Sequence, residues 1–329
     1  AAVKLARGYF ELGRVTGDPR YAGHAEAALA PWWNIEKPPA EVLVLRAALR
    51  QRVHHFSAAL TDLATVIAAD PRNPQARLTR AAVLQVQGAF DAAREECLAL
   101  RNLTRELIWA ACLANVNGVT GNLRESYLRL RDALGREPSA EPGIESWVLT
   151  SLAEMAARTG LPSEARSHFE AALVLGGADN YLLNAYADFL LDQGKPEAVA
   201  ALLRDKTRAD PLLLRYALAL KSQGSPGLPA QVAQLRDRFE ASHLRGDRVH
   251  VREEARYSLH LLDLPEAALK LAQENWEIQK EPADLRILLE AAIAAHDQAN
   301  IEAARGWLKE TGLEDIELER ILHQAPKLN

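Results

Sequence analysis

A chain of 329 residues with 39 basic and 44 acidic side chains carries a formal net charge of −5, which offers no basic face of the kind nucleic-acid binding uses. Aromatics are 6% of the residues, alanine and leucine dominate, and strand-type runs rich in Val, Ile and Thr are missing, so an all-α fold is expected. No apolar run approaches the roughly 18 residues that span a bilayer, and no signal peptide is visible, so no direct membrane insertion is expected of this segment.

The sequence opens on Ala1-Ala2-Val3, inside a helical pattern and without methionine. The expectation is that an upstream leader or anchor has been removed. Cys97 and Cys112 are the two cysteines. They read as reduced thiols packed as small apolar groups. The alternative is a bridge between neighbouring helices, which would imply an oxidising compartment.

The chain divides into helical hairpins. The first is read from Leu5, Ala6, Tyr9 and Gly13, then Ala25 and Leu29, with an insertion from Thr16 to Tyr21 that turns at Asp18-Pro19. Pro31 is expected to end its second helix, and Trp32-Trp33 with Pro38-Pro39 to form a stiff connector. The second hairpin places Leu43, Ala47, Phe56, Ala59 and Leu63 inward, with His54-His55 at the turn and Asp70-Pro71 closing it. The third starts near Pro74 and shows Ala81, Leu84, Gly88, Phe90, Ala93, Cys97 and Leu100. The fourth follows with Ala110, Leu113, Ala114, Gly121, Leu123, Leu130 and Ala133. A polar stretch from Gly135 to Gly143, with Pro138 and Pro142, is the expected flexible point.

In the fifth hairpin Leu149, Leu152, Ala153 and Ala156 fall at i, i+3, i+4 and i+7 and share one helix face. Gly160 ends that helix and Pro162 opens the next, where its missing N–H costs little. That second helix carries Ala165, Phe169 and Ala172 and stops at Gly176-Gly177. The sixth repeats the recipe with Leu183, Tyr186, Ala187, Leu190, Gly194, Leu203 and Asp210-Pro211. The seventh has Leu213, Tyr216, Ala217, Leu220 and Gly224, an insert from Ser225 to Pro229, then Leu235 and Phe239. The eighth is read from Ala255, Leu262, Ala267 and Leu271, with Glu254 where an apolar residue is expected. The ninth has Ala291, Ala294, Ala303 and Trp307. From Leu313 to Gln324 a last amphipathic helix turns Ile316, Ile321 and Leu322 inward and closes the apolar surface.

One small residue recurs through these hairpins, at Ala47, Ala81, Ala114, Ala153, Ala187, Ala217, Ala255 and Ala291, with an earlier copy at Ala6. The spacings scatter from 30 to 41 residues around 34, as loop insertions between fixed helices would give. With the large residue, the large–small pair, the aromatic and the closing proline around it, this pattern resembles the tetratricopeptide repeat (TPR) family, here in a bacterial multi-repeat form. The resemblance covers nearly the whole chain. It implies one right-handed α-solenoid of about nine TPR-like hairpins with a C-terminal capping helix. The expected division is 1–39, 40–134, 146–245, 246–311 and the capping helix 313–324.

Catalytic chemistry leaves little trace. His54 and His55 point about 100° apart on a helix and make a poor metal pair. No HExxH, C-x-x-C, phosphate loop or G-x-S-x-G motif is present. Glu95-Glu96 and Glu253-Glu254 read as solvated helix faces. No catalytic residue, metal site or cofactor is expected.

The family binds peptides or partner helices in a concave groove lined by the first helix of each hairpin. Carried over position by position, that implies Asn115 in the fourth hairpin, Trp147, Thr150, Glu154 and Arg158 in the fifth, and Tyr181, Asn184 and Asp188 in the sixth. The seventh adds Leu214, Arg215, Leu218 and Lys221, and the eighth Arg252 and Arg256. The asparagines would bind a peptide backbone through donor and acceptor together. Trp147 and Tyr181 would be apolar anchors with a polar tip. Arg215, Arg252 and Arg256 would hold a carboxylate or an acidic segment. A dicarboxylate clamp is not expected, because Glu154 and Asp188 stand where it needs lysine and asparagine. The expected role is a non-catalytic scaffold for a protein or peptide partner in a bacterial complex, with structural self-association, through Trp32-Trp33 or the first hairpin, as the alternative and an all-α enzyme behind both. Resemblance to exported bacterial TPR proteins favours a periplasmic or exported location over a cytoplasmic one.

Overall fold

A computed structural model describes residues 1–18, 20–137, 141–176 and 179–324. Pro19, Pro138 and Gly177, which the sequence reading uses at a turn, a link and a helix stop, lie outside the described residues. Among the described residues there are twenty α-helices and no strand. The first hairpin is α1 (Ala2–Thr16) and α2 (Arg20–Ala28), followed by the short α3 (Ala30–Trp33). The next three are α4 (Ala40–Arg52) with α5 (Phe56–Ala69), α6 (Pro74–Val86) with α7 (Phe90–Ala99), and α8 (Glu106–Asn117) with α9 (Leu123–Arg136). The fifth and sixth are α10 (Pro142–Thr159) with α11 (Pro162–Val174), and α12 (Asn180–Asp192) with α13 (Pro196–Leu203). The last three are α14 (Asp210–Ser222) with α15 (Leu228–Arg245), α16 (Val251–His260) with α17 (Pro265–Ile278), and α18 (Pro282–Ala294) with α19 (Gln298–Thr311), capped by α20 (Ile316–Gln324).

The packing follows the small residue. All nine recurring alanines, from Ala6 to Ala291, are buried, and seven of them have no exposed surface at all. A methyl group at these points lets the two helices of a hairpin approach closely. Larger residues fill the space beside it: Phe169 stacks on Tyr186 and Phe189, at ring distances of 5.1 and 5.5 Å. The chain is an all-helical repeat protein, an α-solenoid of nine hairpins and a capping helix.

Several local readings are corrected. Pro31 sits in the first turn of α3, so Trp32 and Trp33 are helical. Their backbone carbonyls accept from Arg46, and Arg50 lies over the Trp33 ring, so the pair is tied to α4. Gly135 and Gly143 lie inside α9 and α10, which shortens the expected link. In the eighth and ninth hairpins the inward alanines are Ala268 and Ala304, one residue on from Ala267 and Ala303. There Asp263 and His296 take the left-handed turn conformation that glycine takes in most other hairpins, and His54 does the same in the second. Glu96 and Glu253 are buried and not solvated. Arg77 and Arg80 hold Glu96, and Arg252 lies 3.5 Å from Glu253.

Cys97 of α7 and Cys112 of α8 form a disulfide, with Cα atoms 5.5 Å apart. The reading as two separate thiols is overturned, because consecutive hairpins bring the two helices side by side.

The solenoid also coils back on itself. The α1–α2 turn meets the start of the sixth hairpin, where Arg14 donates to Asp179 at 2.5 Å. Gly17 is packed so tightly there that an added Cβ would lie 2.1 Å from the Asn180 amide. The α6–α7 turn meets the ninth hairpin: the Lys280 N–H donates to the Val86 carbonyl at 2.7 Å, and Phe90 packs on Trp307. The α8–α9 turn meets the cap, where Glu314 accepts the Leu123 N–H at 3.1 Å. The groove expected to be open is therefore walled by the next turn of the coil.

Candidate functional site

That closure produces a cavity of about 690 Å³ inside the coil, lined by first helices from α4 through α18 and by α20. Ten of the fourteen candidate groove residues line it: Asn115, Trp147, Glu154, Arg158, Tyr181, Asn184, Asp188, Arg215, Arg252 and Arg256. Thr150 does not. It is buried in the stack, with its hydroxyl bonded to the Ser146 carbonyl. Leu214 is fully buried as well, and Lys221 donates to the His260 carbonyl.

The wall has two characters. Leu78, Val86, Phe90, Trp147, Met155, Phe189 and Ile316 make an apolar side. The other side is a mosaic of charges. Asp188 accepts from Arg256 at 2.9 and 3.2 Å and from Arg215 at 2.5 Å. Burial pushes the Asp188 carboxyl up, but the two guanidinium charges more than reverse this and hold it well below the usual carboxylate range. Arg286 binds Asp192 through both terminal nitrogens at 2.7 and 2.8 Å, and Glu290 through Nε at 2.8 Å. Burial raises the Glu290 carboxyl, while His260 and Arg286 outweigh it and hold it at about 2. Arg252 contacts Glu281 at 3.0 Å and the fully buried Asp284 at 3.2 Å.

The arginines expected to form a free basic half are thus already neutralised. A buried guanidinium needs a carboxylate, and the closed coil brings one to each from a neighbouring hairpin. Arg158 donates to the Gly118 carbonyl at 3.0 Å.

Four side chains stand apart. Glu154 has no cation within ion-pair distance among the described residues, and it accepts from the Tyr181 hydroxyl at 2.9 and 3.0 Å. Burial pushes its carboxyl up to about 7, with Glu281 and Asp188 adding to the rise against Tyr181 and Arg158. Tyr181 has 57% of its surface accessible, and the cavity is what it faces. Burial within the coil and the charges of Glu154 and Glu281 raise its hydroxyl well above the usual tyrosine value. The side-chain amides of Asn115 and Asn184 line the same space and make no hydrogen bond among the described residues. The Asn184 Oδ1 is buried without a partner.

Sequence reasoning missed Asp192, Arg286, Glu290, Glu281 and Phe90. Asp192 was within reach, since it lies five residues after Ala187, as Arg158 does after Ala153. The other four reach the cavity through the coil's return, which no single repeat encodes.

No protein-family model matches the chain, and no curated protein matches it. Solved structures similar to it are helical repeat proteins. One is a tetratricopeptide repeat protein from Parabacteroides merdae, 10% identical, covering 88% of this chain and 97% of that one with a TM-score of 0.42. Another is a monomeric IFIT1 mutant with Gppp-AAAA, 16% identical over 97% of this chain and 70% of that one, TM-score 0.42. A third is the TPR domain of P58(IPK), 17% identical over 97% and 96%, TM-score 0.29. The fold class stands on the chain's own stacked hairpins and not on these likenesses.

Proposed function

We propose that the chain is a non-catalytic interaction scaffold that holds a short extended segment of a partner protein in the cavity, within a bacterial complex. One observation carries the reading: the amides of Asn115 and Asn184 line one cavity beside Trp147 with no hydrogen bond among the described residues, and the Asn184 Oδ1 is buried there without a partner. Buried polar groups without partners are costly, and a peptide backbone supplies the matching donor and acceptor. Trp147 and the apolar wall would take a side chain of that segment. A cavity of this size suits a few residues and not a folded domain.

The enclosed cavity and its carboxylates are what an all-α enzyme would also need. A raised Glu154 beside a lowered Asp188 resembles an acid–base pair. Both Asp188 oxygens are occupied by arginines, however, so Asp188 is not free to act as the base or nucleophile of such a pair. This favours binding over catalysis. Self-association is the second reading. The observation in its favour is that α1 exposes Leu5, Leu12 and Val15 on its outer face. An oxidising, envelope-side compartment belongs to the same proposal, supported by the Cys97–Cys112 bond.

The test is selection from a randomised hexapeptide library on the folded protein. Sequences enriched by the wild type and lost with Trp147→Ala or Asn184→Ala, at unchanged helical content, are expected. Enrichment of nothing, or of the same sequences by both variants, defeats the reading.

A further inference from the structure

Resting on that reading, the structure goes further and assigns the chemistry of the segment. We propose that the Glu154–Tyr181 corner of the cavity takes a cationic group of the bound segment, an ammonium or guanidinium, next to an apolar residue seated against Trp147.

Most charges lining the cavity are already satisfied. Arg215 and Arg256 share Asp188, Arg286 spans Asp192 and Glu290, and Arg252 spans Glu281 and Asp284. An anionic ligand that displaced one of these carboxylates would leave it buried without its partner, which is expensive. Elsewhere in the lining the Arg252 Nε is buried without a hydrogen bond and the Lys280 ammonium rests on the Trp276 ring, but what the Glu154 corner leaves unspent is acceptor capacity. Glu154 receives only the Tyr181 hydroxyl, and the Asn184 Oδ1 receives nothing. A carboxylate has about four lone-pair positions, so Glu154 can still take two or three donors. An ammonium carries three donors and a guanidinium five, and each brings the charge that this corner lacks.

The groups that face Glu154 are Tyr181 and Asp188 of α12, Arg158 of its own helix and Glu281 before α18. Two of these are acids, and Arg158 is turned to the Gly118 carbonyl. The free protein therefore holds Glu154 partly protonated near neutral pH. A bound cation would restore its ionisation and release a proton. Affinity should rise as pH climbs through about 7 and level off above it, since only the ionised carboxylate attracts the cation.

The experiment is the same hexapeptide selection run in two pools, one with free and one with acetylated N-termini, on wild type and Glu154→Gln. In the acetylated pool, enrichment of Lys or Arg within two positions of a large apolar residue assigns the cation to a side chain. Enrichment confined to the free pool assigns it to the terminal ammonium. In either case the winning peptide should bind Glu154→Gln about tenfold or more weakly. Its wild-type affinity should rise severalfold from pH 6 to pH 8, a rise the variant lacks. Gln keeps the Tyr181 hydrogen bond, and unchanged thermal unfolding would confirm that the variant is folded. Enriched peptides without a cation, or a cation preference that survives in Glu154→Gln, overturn this inference and leave the scaffold reading standing. Enrichment of nothing overturns both.

Discussion

At the scale of single residues, the cavity is organised by carboxylates whose environments push them in opposite directions. Asp188 is held low by two arginines and Glu290 by His260 and Arg286, so both favour the folded state above the ordinary carboxylate range and lose that contribution as pH falls below about 4. Asp188→Asn leaves Arg215, only 4% exposed, and Arg256 sharing one weak acceptor. The expected cost is about 3 kcal/mol, read as a lower urea midpoint at pH 7, with a shallower loss of stability below pH 4 than the wild type shows. Glu154 runs the other way. Its folded carboxyl titrates at about 7 and its unfolded one near the usual glutamate value. Between those values the unfolded chain has already lost its proton, so stability falls with rising pH. Glu154→Gln removes that loss, and the variant should gain stability relative to wild type on going from pH 5 to pH 8. A constant difference across that range would mean Glu154 is ionised throughout.

At the scale of helices, what was legible in the sequence is what one repeat decides alone. Ala153 and Leu152 declare the inner face of α10, and Gly160 and Pro162 mark where it stops and α11 starts. Where Asp263 and His296 replace the turn glycine, nothing in the sequence marks the turn and Ala267 is taken for Ala268, although the inward residue still lies five positions after the left-handed one, as Ala59 does after His54. Pairings between helices of different hairpins were not legible. Nothing in the stretch between Cys97 and Cys112, 15 positions apart, says that α7 and α8 lie side by side. That bond closes a loop whose loss should cost about 3 kcal/mol in the unfolded-chain entropy account. Cys97→Ala with Cys112→Ala should lower the urea midpoint accordingly and leave the circular dichroism of the folded chain unchanged. Equal midpoints would show that the stacked helices alone fix this contact. Asp188 and Arg256 are 68 residues apart, and Asp192 and Arg286 are 94 apart. Such pairs exist only once the coil has formed.

At the scale of the whole molecule, two kinds of interface hold the chain, and they differ in strength. Neighbouring hairpins share continuous apolar surfaces, such as the cluster running from Leu107 to Ala219. Successive turns of the coil touch at points: the Lys280 N–H on the Val86 carbonyl, Phe90 on Trp307, and the close approach of Gly312 to Gly121, where a Cβ would lie 3.1 Å from the facing Cα. Point contacts bury less apolar area and should open before the stacks do. A segment entering the cavity would use that opening. Native-state hydrogen exchange reads it directly, because the Lys280 and Leu123 amides are bonded across turns and not within a helix. Both should exchange at a lower opening free energy than amides in the middle of α10. Trp307→Ala, which removes the ring between Phe90 and Trp276, should speed the Lys280 amide about tenfold, or about 1.4 kcal/mol, and leave α10 unchanged. If Lys280, Leu123 and α10 exchange at one common free energy, the coil closes and stacks as a single cooperative unit, and the cavity cannot open without unfolding.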